Sequence, residues 1–161
     1  LQSMLRELRF LREEKLHAIR DERQCLKRLK RDKIQGHLQS IPGVGFHTAV
    51  MLQAELWDLQ RFEDKDALSS YVGFAPRLVG SGAHEVLKSA GNRKKKQLHA
   101  ILIQAAWRSV LHNLEMRARY GALLHKGANP QRAISIIAKK LLYALRAVWL
   151  QERDYVVSAN E

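Results

Sequence analysis

The chain has 161 residues and a mass of 18.5 kDa, and 46% of its residues are apolar, so it can build a core and wholesale disorder is excluded. No apolar run approaches the roughly 18 residues of a membrane-spanning helix, and Arg6, Arg9 and Arg12 rule out a signal-like start. The single cysteine, Cys25, excludes a disulfide framework and predicts a reducing cytoplasm. Because the first residue is Leu1, we expect a piece of a longer protein.

The net charge of +12 is unevenly distributed along the chain. Residues 76–161 hold 15 basic and 5 acidic residues, whereas residues 39–75 hold 2 basic and 5 acidic ones. Such an excess predicts a polyanionic partner, because Lys and Arg side chains that neutralise phosphates release condensed counterions. A merely solubilising surface is the alternative interpretation.

Residues 1–36 are predicted to form a coiled-coil-like connector, helical to about residue 35, because no proline or glycine precedes Gly36. Its apolar residues follow three-four spacing with one stutter: Leu1, Met4, Leu8, Leu11, Leu16, Ile19, Leu26 and Leu29. A helix this long cannot bury such a seam alone. We therefore expect a homo-oligomer through this helix, with packing onto its own domain as the alternative.

Residues 38–57 are typical of a helix-hairpin-helix module, in which a tight turn precedes a second helix. Pro42, Gly43, Val44 and Gly45 form the turn, and the glycines allow positive φ and close approach of the backbone to a phosphate. Such a module binds the sugar-phosphate backbone without reading sequence. We assign DNA-backbone binding to these four residues; an ordinary helical turn with glycine caps is the alternative.

DNA glycosylases with this module offer a weaker alternative. Asp64 and Asp66 lie at the distance beyond the hairpin where those enzymes carry a catalytic aspartate. However, Asp66 leads into Ala-Leu-Ser-Ser rather than the apolar-Val-x-Arg context of that site.

The remainder is predicted to be a helical bundle, which makes the whole chain all-α and residues 37–152 one domain. A short helix capped by Asp66 or Ser69 runs through Tyr71 and ends at Gly73. A loop over residues 76–92 follows. The bundle, residues 93–152, has helices from residue 93, over 114–125, and from the cap Asn129–Pro130, before a frayed tail over 153–161.

The buried faces of the bundle follow from helical spacing. Those predicted for the first and third bundle helices are Leu98, Ile101, Leu102, Ala105, Ala106, Trp107 and Val110, and Ala133, Ile136, Ile137, Leu141, Ala144, Leu145 and Val148. Trp107, Trp149 and Phe62 are interpreted as core or interface residues rather than base-stacking platforms.

Residues 40–82 resemble the carboxy-terminal domain of bridge-RNA-guided serine transposases of prokaryotic insertion sequences. The matching elements are Ile-Pro-Gly-Val-Gly over 41–45, Thr48–Ala49, Glu55, Phe62, Tyr-Val-Gly-Phe-Ala-Pro over 71–76, and Ser81–Gly82. Gly91–Asn92 with its basic run, the helix over 97–106 and Lys-Lys-Leu-Leu over 139–142 extend the likeness to about residues 38–150. Two departures affect the loop: Ser89 replaces a usual lysine, and the stretch 81–91 is short.

The resemblance implies that Ser81 is the nucleophile of strand transfer and forms a covalent phosphoserine–DNA intermediate. His84 is the candidate proton acceptor, with Glu85 a weaker one. The residues expected to contact nucleic acid around this loop are Arg77, Lys88, Asn92, Arg93, Lys94, Lys95 and Lys96.

The same resemblance implies partners outside this chain. The family's RNase-H-like domain, which holds Mg²⁺, is missing here, so this fragment alone is expected to be inactive. No metal or other cofactor is expected in this chain, since its histidines form no i, i+4 pair and Cys25 stands alone. DNA and a guide RNA are the expected partners of the longer protein, in the prokaryotic cytoplasm at the nucleoid. The alternative is a non-catalytic helix-hairpin-helix module that binds DNA and dimerises.

Overall fold

A computed structural model describes residues 1–74 and 93–156, and all secondary structure in this part of the chain is helical. The helices are α1 (Gln2–Arg28), α2 (Asp32–Gln39), α3 (Phe46–Leu56), α4 (Lys65–Val72), α5 (Arg93–His112), α6 (Leu114–His125) and α7 (Pro130–Gln151). The side chains of residues 93–95 lie outside the description, as does everything at 75–92 and 157–161. The all-α prediction is confirmed.

The N-terminal helix breaks earlier than predicted. α1 ends at Arg28, so one continuous helix to about residue 35 is wrong. The Lys30 amide donates to the Lys27 carbonyl at 3.0 Å and the Arg31 amide to the Leu26 carbonyl at 2.9 Å, which is a Schellman motif. Lys30 occupies its left-handed position with φ 55°. Because glycine usually marks that position, the sequence carried no sign of the break.

The core is organised around α5 and α7. α5 packs against α3, α4, α6 and α7, and α7 also contacts α2, α4 and α6. Leu102 and Ala105 on α5 and Ile137 and Leu141 on α7 are fully buried in one cluster. α5 is therefore the element against which the hairpin and the rest of the bundle are placed.

The predicted ends of α6 and α7 are confirmed. Asn113 caps α6 by accepting from the Glu115 and Met116 amides at 2.9 and 3.3 Å. Asn129 caps α7 by accepting from the Gln131 amide at 2.9 Å, with Pro130 as the first helical residue.

The cap of the short helix differs from the prediction. Asp64, rather than Asp66 or Ser69, caps α4 by accepting from the Ala67 amide at 2.6 Å. Ser69 is buried in the middle of the helix. Gly73 ends α4 as predicted, with φ 91° in the left-handed region.

Most of the predicted inward faces are buried, with two clear exceptions. Trp107 is 43% exposed and meets Tyr120 edge-on at 5.5 Å between ring centroids. Ile136 is 36% exposed. Trp149 and Phe62 are buried in the core as predicted. The helical spacing alone did not separate the centre of each apolar stripe from its edges.

The first part of the tail is held against α2 rather than frayed. The Tyr155 amide donates to the Ser40 hydroxyl at 2.7 Å, and Asp154 pairs with His37 at the same distance. Tyr155 is half-buried against the core, where burial raises the pKa of its phenol. Residues 157–161 lie outside the described chain.

The seam of α1 is unpartnered over most of its length. Every residue from 1 to 18 is exposed, and the half-buried Ile19 is the first to approach the domain. Among the described helices, α2 is the main neighbour of α1. None of the described helices is long and apolar enough to cross a membrane.

Candidate nucleic-acid interface

The hairpin turn joins α2 to α3 over residues 40–45. The Val44 amide donates to the Ile41 carbonyl at 3.0 Å, which closes the turn. Both side chains are buried, so they anchor the turn in the core, while Pro42 is half-buried. The turn thus has an inner side of apolar anchors and an outer side at Gly45.

A pair of buried glutamines fixes the angle between the hairpin helices. The Gln35 amide group donates to the Phe46 carbonyl at 3.0 Å, and the Gln53 amide group donates to the Gln35 side-chain oxygen at 2.6 Å. Gln35 and Gln53 are 4% and 2% exposed. This network joins α2 to the first and middle turns of α3, and no sequence pattern predicted it.

Gly43 and Gly45 occupy different environments. Gly43 has φ 95°, and a β-carbon there would lie within 2.4 to 2.8 Å of the α5 backbone at Ala105 and Ser109. Gly43 therefore permits close packing on α5 in addition to the phosphate role predicted for it. Gly45 is exposed, a β-carbon there would meet no atom within 4 Å, and its φ is an ordinary −85°.

The N-terminus of α3 presents backbone amides at the surface. Gly45 is the N-cap residue, and no side chain caps the helix. The first amides of a helix lack intrahelical acceptors and carry its positive dipole end. Since Gly45 and His47 are exposed and Phe46 is half-exposed, these amides are placed where an anion can reach them.

A groove of about 750 Å³ connects this helix end with α1 and α5. Its cationic side chains are Lys15 and Arg108, and Gln97 and Gln104 add polar groups along α5. Glu22 contributes a carboxylate, 3.9 Å from the His47 ring. The exposed Lys96 directly precedes Gln97 in the first turn of α5, which places the basic start of this helix near the groove.

The remaining predicted residues divide into two groups. Arg93, Lys94 and Lys95 lie in the first turn of α5, but their side chains are outside the description. The others fall within 75–92, outside the described residues: Arg77, Ser81, His84, Lys88 and Asn92. The catalytic roles of Ser81 and His84 thus remain predictions.

A second groove contains residues that the sequence analysis missed. It has a volume of about 390 Å³ between the end of α4, α5 and α7, and its basic residues are His99, Arg132 and Lys139. Arg132 and Lys139 lie seven residues apart, which places them on one face of α7. This spacing was the signal available in the sequence.

Lys139 is held by two neighbours beside this groove. The Asp66 carboxylate lies 3.3 Å from the Lys139 ammonium and accepts from the Tyr143 hydroxyl at 2.6 Å. The hydrogen bond from Tyr143, followed by that from Lys139, lowers the pKa of Asp66 below its ordinary value. Tyr143, followed by Asp66, raises the pKa of Lys139. Both groups therefore remain charged at neutral pH.

Comparison with known proteins identifies similar sequences. The family model described as the transposase IS116/IS110/IS902 family matches residues 35–121, more than half of the chain. The transposase for insertion sequence element IS1111A of Coxiella burnetii (strain RSA 493 / Nine Mile phase I) is 33% identical over 98 residues, which cover 61% of this chain and 27% of that protein.

A second curated relative is more distant but matches more of the chain. The transposase for insertion sequence element IS1328 of Yersinia enterocolitica is 27% identical over 130 residues, covering 80% of this chain and 39% of that protein. The matches thus cover well under two thirds of the length of both relatives.

Proposed function

Because the chain belongs to the IS116/IS110/IS902 transposase family, we propose that it is the DNA-binding and strand-transfer domain of a longer transposase. The observation that carries this proposal is the position of the family match. Residues 35–121 include both the hairpin turn and the segment that holds Ser81. The net charge of +12 suits a partner with a phosphate backbone.

The proposed reaction uses Ser81 as the nucleophile. Its hydroxyl oxygen attacks a DNA phosphorus, the proton passes to His84, and the bond from phosphorus to the departing strand's oxygen breaks. His84 passes this proton to the departing oxygen, and a phosphoserine joins the protein to DNA. A DNA hydroxyl then attacks the phosphorus of the phosphoserine, and its proton passes through His84 to the Ser81 oxygen as the bond between phosphorus and Ser81 breaks. The phosphodiester bond is thus conserved without ATP.

The hairpin supports this chemistry by holding the DNA backbone. The uncapped amides at Gly45 and Phe46 donate to a phosphate, and the exposed Lys96, in the first turn of α5, adds a cationic contact to the DNA backbone. Gly43 and Val44 contribute by fixing the turn on α5. Because the contacts are to phosphate, binding should be nearly independent of DNA sequence.

The metal expected for such a reaction is assigned to another domain. The described residues contain no group of three or more His, Cys, Asp or Glu side chains able to hold a metal ion. We propose, on the resemblance alone, that Mg²⁺ is held by the RNase-H-like domain that it implies for the longer protein. The guide RNA implied by the same resemblance is likewise proposed as a partner of that longer protein.

The nucleophile is tested by trapping. A suicide DNA substrate mixed with the longer transposase should leave protein covalently attached to a DNA strand, detected as a shifted band on a denaturing gel. Ser81→Ala should abolish the shift, while Ser89→Ala, a serine eight positions away, should retain it. Equal trapping by the Ser81→Ala protein would overturn the assignment.

A non-catalytic DNA-binding module is the second candidate, favoured by the uncapped helix end at Gly45. The two functions differ at Ser81 alone. Salt-sensitive DNA binding without any Ser81-dependent covalent product would favour the module.

We also propose that α1 pairs with α1 of a second copy. Its seam follows the three-four spacing that suits a helical partner, and within the described chain its first 18 residues remain exposed. Leu8 and Leu11 on this seam are 62% and 55% exposed. Large apolar side chains in such a row favour association through their burial.

Sedimentation equilibrium tests the pairing. Leu8→Glu combined with Leu11→Glu should shift the chain to a monomer, whereas Phe10→Glu, equally exposed at 59% but off the seam, should not. Far-ultraviolet circular dichroism checks that α1 stays helical. A wild-type chain that is monomeric at high concentration with α1 intact would contradict the proposal.

A further inference from the structure

The second groove has the shape and charge of a site for a strand of nucleic acid. Its volume of about 390 Å³ is lined by Gly73 and Phe74, which directly follow α4, by His99 on α5 and by residues of α7. Four lining residues come from one face of α7: Arg132, Ser135, Ile136 and Lys139. The groove thus lies between the C-terminal end of α4 and the two central helices.

The polar rim of the groove is cationic. Arg132 and Lys139 line it together with the His99 ring, and none of its described lining residues is a carboxylate. The Arg132 side chain is exposed and takes part in none of the ion pairs found among the described residues, so within this part of the chain no carboxylate neutralises its guanidinium. A guanidinium can bind a phosphate with two parallel hydrogen bonds.

Lys139 is prepositioned for the same task. Its ammonium lies 3.3 Å from the Asp66 carboxylate and 5.4 Å from the centroid of the Tyr143 ring, and these contacts fix the end of the flexible side chain beside the groove. Asp66 is itself oriented by the Tyr143 hydroxyl. Fixing the ammonium before binding reduces the side-chain entropy that a phosphate contact would otherwise cost.

The floor of the groove is apolar and aromatic. The rings of Phe74 and His99 lie 4.4 Å apart between centroids, and Ile136 adds an aliphatic surface. Gly73 leaves room beside His99, since a β-carbon there would still be 3.8 Å from its Nδ1 atom. Cations around an apolar floor match a strand that offers phosphates beside sugars and bases.

We propose that this groove binds a backbone phosphate of a DNA strand, with Arg132 and Lys139 as its cationic contacts and Asp66 and Tyr143 as residues that position Lys139. The inference rests on the proposed function for the choice of DNA as the strand. It assigns a second contact surface on a side of α5 different from the groove at the hairpin, because Gln97 and His99 point about 160° apart around the helix axis.

Fluorescence anisotropy with labelled single-stranded DNA, duplex DNA and RNA of equal length tests the groove in the full chain. Arg132→Gln and Lys139→Gln should each weaken DNA binding by about 3–10-fold on every sequence and reduce the salt dependence by about one phosphate contact. Arg132→Lys should restore part of the affinity. Arg119→Gln, which removes an exposed arginine of α6 outside the groove, is the matched control.

The other outcomes each overturn the inference. Unchanged DNA affinity with a lowered melting temperature would mean that the groove holds part of the protein instead. A loss confined to RNA would assign it to a different strand, and an equal loss in Arg119→Gln would reduce it to general surface charge.

Trapping with the Ser81→Ala and Arg132→Gln variants of the longer transposase separates the two proposals. If Ser81→Ala traps DNA like the wild type while Arg132→Gln still weakens binding, the nucleophile assignment fails and the groove stands. If Ser81→Ala abolishes trapping while Arg132→Gln binds and reacts normally, the groove assignment fails.

Discussion

Gly43 packs directly on the backbone of Ser109, so the hairpin turn and the central helix α5 touch without an intervening side chain. A β-carbon on Gly43 would lie 2.4 Å from the Ser109 nitrogen. A side chain at this position would be strained in two ways, by the clash with α5 and by the backbone, because φ is 95°, in the region that L-residues avoid. The turn that was predicted to approach a phosphate is therefore also a close helix contact.

Substitution of the two turn glycines should separate these roles. Gly43→Ala should lower the free energy of unfolding by about 2–5 kcal/mol, from left-handed strain and overpacking together. Gly45→Ala should cost less than about 1 kcal/mol, because its surroundings are open and its φ is ordinary. Urea denaturation followed by circular dichroism gives both values.

DNA affinity should respond more to substitution of Gly45 than of Gly43 when both variants are measured as folded protein. A bulky residue at Gly45, such as Gly45→Leu, should weaken binding to all DNA sequences alike, measured by anisotropy on folded protein. If Gly45→Leu binds normally, the amides of α3 do not hold the DNA backbone.

The stability prediction for the other glycine has its own contrary outcome. A Gly43→Ala protein as stable as the wild type would contradict the close packing of this turn on α5.

The helical pattern of the sequence predicted the bundle well because each signal was local. Asn129–Pro130 and Gly73 mark helix ends through their own conformational preferences, and both act as predicted. The cap of α4 was assigned to Asp66 or Ser69, whereas Asp64 forms it, because the local pattern alone did not point to the correct position. The Asp66 carboxylate instead accepts a hydrogen bond from Tyr143, a residue 77 positions away in the chain that no local pattern connects with it.

The candidate site residues also divide into those that a local sequence pattern marks and those that only the fold brings together. The turn at residues 42–45 and the basic start of α5 could be named as candidates from the sequence because each is contiguous. His99, Arg132 and Lys139 were missed as a group because only the packing of α5 on α7 brings them together. Glutamines 35 and 53 were missed because buried amide pairs follow no sequence period.

The glutamine pair should contribute measurably to stability. Gln35→Leu removes the side-chain donor to the Phe46 carbonyl and leaves the buried Gln53 amide group without the acceptor that it has in the native protein. We expect a loss of about 1–3 kcal/mol in the free energy of unfolding. Gln39→Leu, at an exposed position of the same helix where the amide group donates to the Gln35 carbonyl at 3.2 Å, should change it by less than about 0.5 kcal/mol.

Chemical denaturation of both variants tests this prediction. A Gln35→Leu protein as stable as Gln39→Leu would show that an apolar side chain replaces the network without cost.

The stability of the fold at acidic pH should depend on Tyr143, because this residue lowers the pKa of Asp66. The native pKa of Asp66 is lowered by Tyr143 and Lys139, so its stabilising effect is present above the unfolded-state pKa and is lost as pH falls through the lower native value. Tyr143→Phe removes the largest cause and should raise the Asp66 pKa toward its ordinary value.

Carbon-13 NMR titration of the Asp66 carboxyl measures this pKa directly. Tyr120→Phe is the control, since that ring meets Trp107 rather than Asp66. An Asp66 pKa that is the same in wild type and Tyr143→Phe would remove the contact as the cause of the shift.

The register of α7 decides whether Arg132 and Lys139 face the groove, and two adjacent isoleucines report it. Ile137 is fully buried and Ile136 is 36% exposed, although helical spacing had placed both inward. Ile137→Ala should destabilise the fold by about 2–5 kcal/mol, since it leaves a cavity in the core. Ile136→Ala should cost less than about 1 kcal/mol and leave the melting transition nearly unchanged. Thermal and urea unfolding of the pair give the comparison. Equal losses would mean that α7 is rotated from this register, and the face carrying the two cations would then turn with it.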